Sequence, residues 1–235
     1  MIISLHLPKT AGSSFLSSLS THYGNSLFED YNDLPLHTPY HKRNTHAILE
    51  GIKNRFKSYQ DIECIHGHFL PLKYRFINNQ NTKYVTLMRD PAERLASQYF
   101  YMKRHYTPEK AKKQSLLKTM IDDNWSLERF CLGKELRNTY SKFLWGFPLD
   151  NFNFIGIVEY YQADFMAFSK QYFAERLTPQ HNNINPNISG KSYFKDSAKK
   201  EAVLKHHEED FLLYSKALQM RNKRISEPVN SGYRY

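Results

Sequence analysis

Leu5-His6-Leu7-Pro8-Lys9-Thr10-Ala11-Gly12-Ser13-Ser14-Phe15 joins an apolar run beginning at Ile2 to an amphipathic pattern that continues through Leu16 and Leu19. The stretch reads as a β-strand, a tight turn and the start of a helix. Such a turn aims unpaired backbone N–H groups and the positive end of the helix dipole at one point, where Lys9 adds a full charge. With the hydroxyls of Thr10, Ser13 and Ser14 these are the components of a phosphate site. The single glycine, Gly12, follows the lysine instead of preceding it, so the loop lacks the glycine-rich pattern of a nucleoside triphosphatase and is compact enough to suit one phosphate. The same residues also allow a plainer reading, a solvated Lys9 and a helix capped by Ser13.

Outward from this turn, short apolar runs at Ile2–Leu7, Glu63–His66, Tyr84–Met88 and Phe154–Val158 have the look of buried parallel strands. Helical periodicity is predicted over Ser14–Tyr23, Ala92–His105, Ala163–Phe173 and Ser197–Met220. Strands alternating with helices imply an α/β fold, a central parallel sheet flanked by helices. The stretches Asn25–Asn44 and His181–Gly190 lack periodicity and read as loops. One domain spanning residues 1–235 is expected, its tail 221–235 flexible.

Thirty-three Lys and Arg against 23 Asp and Glu give a formal charge of +10. That excess favours polyanionic partners without choosing among nucleotides, nucleic acids, acidic glycans and anionic lipid surfaces. Cys64 and Cys131 are too few for a disulfide framework and have no metal-site spacing; they read as buried thiols of a cytoplasmic protein. No metal cluster is evident, no run of ~18 apolar residues suggests a transmembrane segment, and Met1 to Leu7 already read as a core strand, with no room for a signal peptide.

A second constellation follows the strand at Tyr84–Met88. Arg89 leaves its carboxyl end, where open α/β sheets bind ligands, and Asp90-Pro91 opens a helix in the manner of an N-cap followed by proline at the first position. Ser97, eight residues beyond Arg89, lies about two turns into that helix, so the pair is suited to clamp a phosphate by a charge-assisted contact and a hydroxyl bond. Between the two phosphate motifs stands Ile65-His66-Gly67-His68-Phe69. A histidine is suited to act as general base near neutral pH.

Pro8-Lys9-Thr10-Ala11-Gly12-Ser13-Ser14-Phe15 together with Arg89-Asp90-Pro91-x-x-Arg94-x-x-Ser97-x-Tyr99 resembles the sulfotransferases that use 3′-phosphoadenosine 5′-phosphosulfate (PAPS). The His-Gly-His segment is similar to the carbohydrate branch, especially heparan-sulfate 2-O-sulfotransferase and its bacterial relatives. Weaker echoes run through Arg137-Asn138, Gly156-Ile157-Val158-Glu159 and Glu209-Asp210-Phe211-Leu212-Leu213-Tyr214. The resemblance implies a P-loop nucleotide-kinase-like sulfotransferase fold. It further implies that Lys9, Thr10, Ala11, Gly12, Ser13, Ser14 and Phe15 hold the 5′-phosphosulfate, that Arg89 and Ser97 hold the 3′-phosphate, and that His68 is the catalytic base with His66 as its neighbour. Lys191 and Ser192, in a loop that related enzymes fold over the nucleotide, are candidate donor contacts; a turn capped by Asp196 is the plainer reading. The implied acceptor is a hydroxyl, on a glycan or glycoconjugate or on a small metabolite. Two other classes remain on the residues alone: a kinase-like phosphotransferase, and a basic nucleic-acid-binding module that leaves the His-Gly-His unexplained.

Overall fold

Five short strands, β1 (Ile2–Leu5), β2 (Leu27–Asp30), β3 (Cys64–Gly67), β4 (Lys83–Met88) and β5 (Phe154–Ile157), form one all-parallel sheet in the order β2-β3-β1-β4-β5. The computed structural model describes residues 1–77, 81–179 and 192–227. The helices in those residues are α1 (Gly12–Tyr23), α2 (Tyr40–Asn54), α3 (Pro91–Arg104), α4 (Pro108–Lys113), α5 (Ser115–Asp122), α6 (Leu127–Cys131), α7 (Thr139–Phe143), α8 (Tyr161–Tyr172), α9 (Ser197–His206) and α10 (Glu208–Ser226). The α/β expectation is therefore met, and four of the strands fall where the apolar runs placed them.

Those runs lack the alternation of a half-buried strand because both faces of the sheet are covered. Ile2, Cys64, Val85, Leu87 and Phe154 pack on one face with Phe15 and Leu19 of α1 and Phe165 and Phe168 of α8. Ile3, Leu5, Ile65, Ile155 and Ile157 pack on the other with Tyr140 and Phe143 of α7 and Tyr214 and Ala217 of α10. A third cluster, outside the sheet, joins α3, α5, α6 and α9 through Leu95, Tyr99, Met120, Phe130 and Val203. Cys64 and Cys131 are free and fully buried, and burial raises both thiols, Cys131 to about 12.

Two expectations are corrected. The stretch 25–44 is not all loop: it contains the edge strand β2 and the first turn of α2. Only the last residue of β2, Asp30, is buried, so an edge strand this short carries almost no hydrophobic signature. The helix expected over 197–220 is two helices. The break is at His207, fully buried, whose Nδ1 accepts from the Asn138 N–H at 3.2 Å while its Nε2 donates to the Cys131 carbonyl at 2.7 Å. The imidazole is held at both ends by backbone groups of the 131–138 segment, and burial lowers its pKa to about 4, so it is neutral. The helical pattern also runs past the expected tail boundary at 221, to Ser226; the loop 181–190 and the last eight residues lie outside the described residues.

On the β5 edge, the buried Asp164 of α8 accepts from the Ile157 N–H at 2.7 Å, from Arg221 Nε at 2.8 Å and from Arg224 Nη2 at 3.2 Å. Arg224 also donates to the Ile155 carbonyl, covering an edge acceptor. Asp164→Ala leaves Arg221, 7% exposed, without its carboxylate. The expected loss of stability is about 3–5 kcal/mol in urea unfolding, and a loss below about 1 kcal/mol would show that this network does not tie α10 to the sheet.

Candidate active site

Register places the site. Leu5 of β1 pairs with Gly67 of β3 on one side and with Thr86 of β4 on the other. The chain passes from β3 to β4 across β1, so three loops leave adjacent strands at one level, over a switch in strand order where parallel sheets bind ligands. His6 and His68 stand one residue beyond the Leu5–Gly67 pair; Lys9 stands four beyond Leu5, and Arg89 three beyond Thr86.

The first loop is built to expose amides. Lys9 and Ala11 both have left-handed backbones, φ 63° and 62°, with Thr10 at negative φ between them, an alternation of the kind from which anion nests are built. Each left-handed non-glycine residue costs roughly 1–2 kcal/mol. The Thr10 hydroxyl donates to the Leu7 carbonyl at 2.8 Å and ties the turn. Ala11 precedes α1 without a side-chain cap, whereas Asp90, Thr107, Ser126 and Asp196 cap α3, α4, α6 and α9. Ser13 is exposed and Ser14 buried at this N-terminus. Phe15 turns into the core, its N–H bonded to the Ala11 carbonyl, so it anchors the helix that carries the loop. At Gly12 the His6 ring lies where a Cβ would be, so any larger residue would displace that imidazole.

Lys9 Nζ lies 3.7 Å from the centroid of Tyr101, over the ring face. Burial, then the charges of Arg104 and Arg89, lower its pKa to about 8. Among the described residues none of Lys9, Arg89 and Arg104 forms an ion pair with a carboxylate. Three cations thus meet, none of them held in an ion pair among the described residues.

The Arg89 backbone is clamped: its N–H donates to the Tyr140 hydroxyl at 3.2 Å, and that hydroxyl donates to its carbonyl at 2.7 Å. Asp90 caps α3 through the N–H groups of Ala92 and Glu93, with Pro91 next in line as expected, and pairs with Lys200 at 3.0 Å. Its own N–H donates to Glu159, which also accepts from Tyr214. Asp210 of α10 receives the N–H groups of Tyr140 and Ser141. Glu159, Asp210 and Tyr214, all in the weaker sequence echoes, therefore act as supports for the arginine turn. Arg94 is a support as well, fully buried and bonded to Gln98 and Thr139. Ser97 is buried on α3, two turns beyond the cap.

The Ser192 hydroxyl donates to Glu93, and the Tyr193 N–H donates to the same carboxylate at 3.0 Å. Glu93 thus latches this segment to α3 and sets the Tyr193 ring 5.7 Å from the Arg89 guanidinium, stacked on Phe100. Asp196 caps α9, as the plainer reading of this loop required. Lys191 lies outside the described residues.

His66 faces Ser4 across the β1–β3 pair, and its Nδ1 is 2.8 Å from the Ser4 hydroxyl. It is 1% exposed, its Nε2 has no partner among the described residues, and burial lowers its pKa to about 3. His68, half-buried, bonds through Nδ1 to the His6 carbonyl. A carbonyl only accepts, so Nδ1 carries the proton and Nε2 is left with its lone pair. Burial lowers the His68 pKa, opposed by that bond. The His6 ring lies 4.2 Å from His68 and 5.1 Å from His66, with its Nδ1 3.0 Å from the Tyr31 hydroxyl. Burial, then His68, His66 and Lys9, hold His6 well below its ordinary value.

Sequence reasoning did not single out His6, Tyr31, Arg104 or Tyr193 as site residues. His6 lies inside the first motif, but only the fold brings its ring onto His68. Among the described residues no group of three or more His, Cys, Asp or Glu side chains is arranged to hold a metal ion, and no helix is long and apolar enough to cross a membrane. No protein-family model matches the chain, and no curated protein matches it.

The Nδ1–H tautomer of neutral His68 is directly observable. Nitrogen-detected NMR is expected to show it, with a titration midpoint below the ordinary 6.5; an Nε2–H tautomer would mean that Nε2 has no lone pair with which to take a proton.

Proposed function

We propose that the chain transfers a sulfuryl group from PAPS to a hydroxyl, on a P-loop sulfotransferase-like fold. The observation that carries this reading is the convergence, from adjacent strands, of an uncapped helix N-terminus with Lys9, a clamped Arg89 turn, and a neutral histidine whose Nε2 is free to take a proton. Separate anion sites at β1 and β4 suit a nucleotide phosphorylated at both ends. The motifs that resemble the sulfotransferases lie on these turns.

In this reading the nest at Lys9–Gly12 and the hydroxyls of Thr10, Ser13 and Ser14 hold the 5′-phosphosulfate, while Arg89 and Ser97 hold the 3′-phosphate, with Tyr193 beside the arginine. His68 Nε2 accepts the proton of the acceptor hydroxyl as its oxygen bonds to sulfur. The bond from sulfur to the bridging oxygen breaks, the electron pair stays on the departing 5′-phosphate, and adenosine 3′,5′-bisphosphate is released. Sulfuryl transfer resembles phosphoryl transfer, where catalysis is positioning and charge neutralisation. Lys9 supplies that neutralisation where the charge grows. The acceptor is a hydroxyl of a glycan, glycoconjugate or small metabolite, and the site of action is the cytoplasm.

His66 is too deeply buried to meet an acceptor and supports the base from beneath. The roles of Lys9 and His68 predict opposite limbs in a pH profile. His68 must be neutral, so kcat/KM rises through a pKa below 6.5; Lys9 must be charged, so the rate falls above about 8. Lys9→Arg, with a permanently charged group, is expected to remove the alkaline limb; an unchanged limb would clear Lys9 of the role.

Adenosine 3′,5′-bisphosphate is expected to raise the melting temperature, and Arg89→Ala to weaken that effect at least about tenfold in ligand concentration. Lys9→Ala and His68→Ala are each expected to lower labelled sulfate transfer by about 10²-fold or more. A melting shift with ATP and none with the bisphosphate would overturn the reading.

A further inference from the structure

Helix α2 buries one face and leaves an apolar one open. Arg43, Ala47, Gly51 and Asn54 turn inward, where Gly51 packs against Leu72 and Phe76 and Asn54 donates to the Lys73 carbonyl at 2.9 Å. On the outer side Ile48, Ile52 and Phe56 recur every fourth residue, which aligns them in one stripe. They are 40%, 49% and 80% exposed, with Leu49 at 52% on the shoulder. Phe56 continues the helical turn, its N–H bonded to the Lys53 carbonyl. Phe76, which packs against Gly51, is itself 41% exposed. Isolated exposed apolar residues need no explanation, but a contiguous row of this size marks a contact surface.

The flanking charges choose the partner. Lys42, Lys53, Arg55, Lys57 and Arg75 are exposed around the stripe. The nearby acid on the helix, Glu50, is paired with Lys53 at 2.7 Å. The whole chain carries +10. A second copy of the chain docking on the same face would set these cations against themselves. A helix held in the fold with an apolar row outward and cations along its flanks matches an anionic bilayer surface, whose headgroups attract Lys and Arg while the apolar side chains enter the acyl boundary.

We propose that the outer face of α2 docks the protein on anionic membrane surfaces, with Ile48, Ile52 and Phe56 as the inserting residues. This surface is separate from the candidate active site and does not depend on the proposed chemistry.

The full chain is sedimented with vesicles of phosphatidylcholine alone and of phosphatidylcholine with phosphatidylserine. Binding to the phosphatidylserine vesicles, weakened by salt, is expected. The double variant Ile52→Ser, Phe56→Ser is expected to need at least about tenfold more lipid, and Lys42→Gln, Arg55→Gln, Lys57→Gln together to lose the preference for phosphatidylserine. All these side chains are exposed, so circular dichroism and the melting shift with adenosine 3′,5′-bisphosphate should be those of the parent. Protein left in the supernatant with both vesicles overturns the proposal, as does undiminished binding by the serine variant. Concentration-dependent dimerisation abolished by that variant, with no vesicle binding, assigns the face to a second copy instead.

Discussion

The paired register of Leu5 with Gly67 and Thr86 is the constraint on which the rest of the structure depends. β1 has parallel neighbours on both sides, so its end fixes the level of the β3 and β4 ends. A slip of one residue would invert every side chain of the slipped strand, parting Ser4 from His66 and the His6 carbonyl from His68. Gly67 shows how tight the fit is: a Cβ there would run into the backbone of Asp30 on β2. That backbone continues into Tyr31, so the edge strand and the histidine turn are set together.

Electrostatics at the strand ends divide into two kinds of site. At the first loop and the arginine turn, Lys9, Arg89 and Arg104 stand close enough to repel one another and none is ion-paired among the described residues; burial, and then that repulsion, lower the pKa of Lys9. At the histidines, burial acts in the same direction, against the charged form, and keeps three imidazoles neutral side by side. In the proposed reading, a neutral histidine beside a cation-lined loop is the pairing that transfer of a charged group to a hydroxyl requires.

The supports explain why so much chain lies behind few contact residues. Asp210, Tyr140, Glu159 and Tyr214 draw α7, α10 and the β5 loop onto the Arg89–Asp90 backbone. Glu93 latches the segment at Ser192 and Tyr193 to α3 in the same way. Glu159, Asp210 and Tyr214 were visible in the sequence only as faint echoes, and Tyr140 and Glu93 carried no functional signal at all. A buried carboxylate that receives backbone N–H groups leaves no periodic signature; it is recognised by what it meets in space.

The sequence by itself determined the four buried strands, the loop that follows β1, the cap at Asp90 and the positions of Lys9, His68 and Arg89, because these depend on local pattern: unbroken apolar runs, turn residues and helix-start chemistry. It did not reveal β2, whose short and exposed edge has no apolar run, nor the break at His207, which comes from bonds to Cys131 and Asn138 some seventy residues earlier in the chain. Tertiary structure alone decided that His66 is sealed in the core while His68 stays half-exposed. The two differ by two residues in sequence, but one lies inside the registered pairing with β1 and the other beyond its end, where the backbone turns and an imidazole can meet solvent.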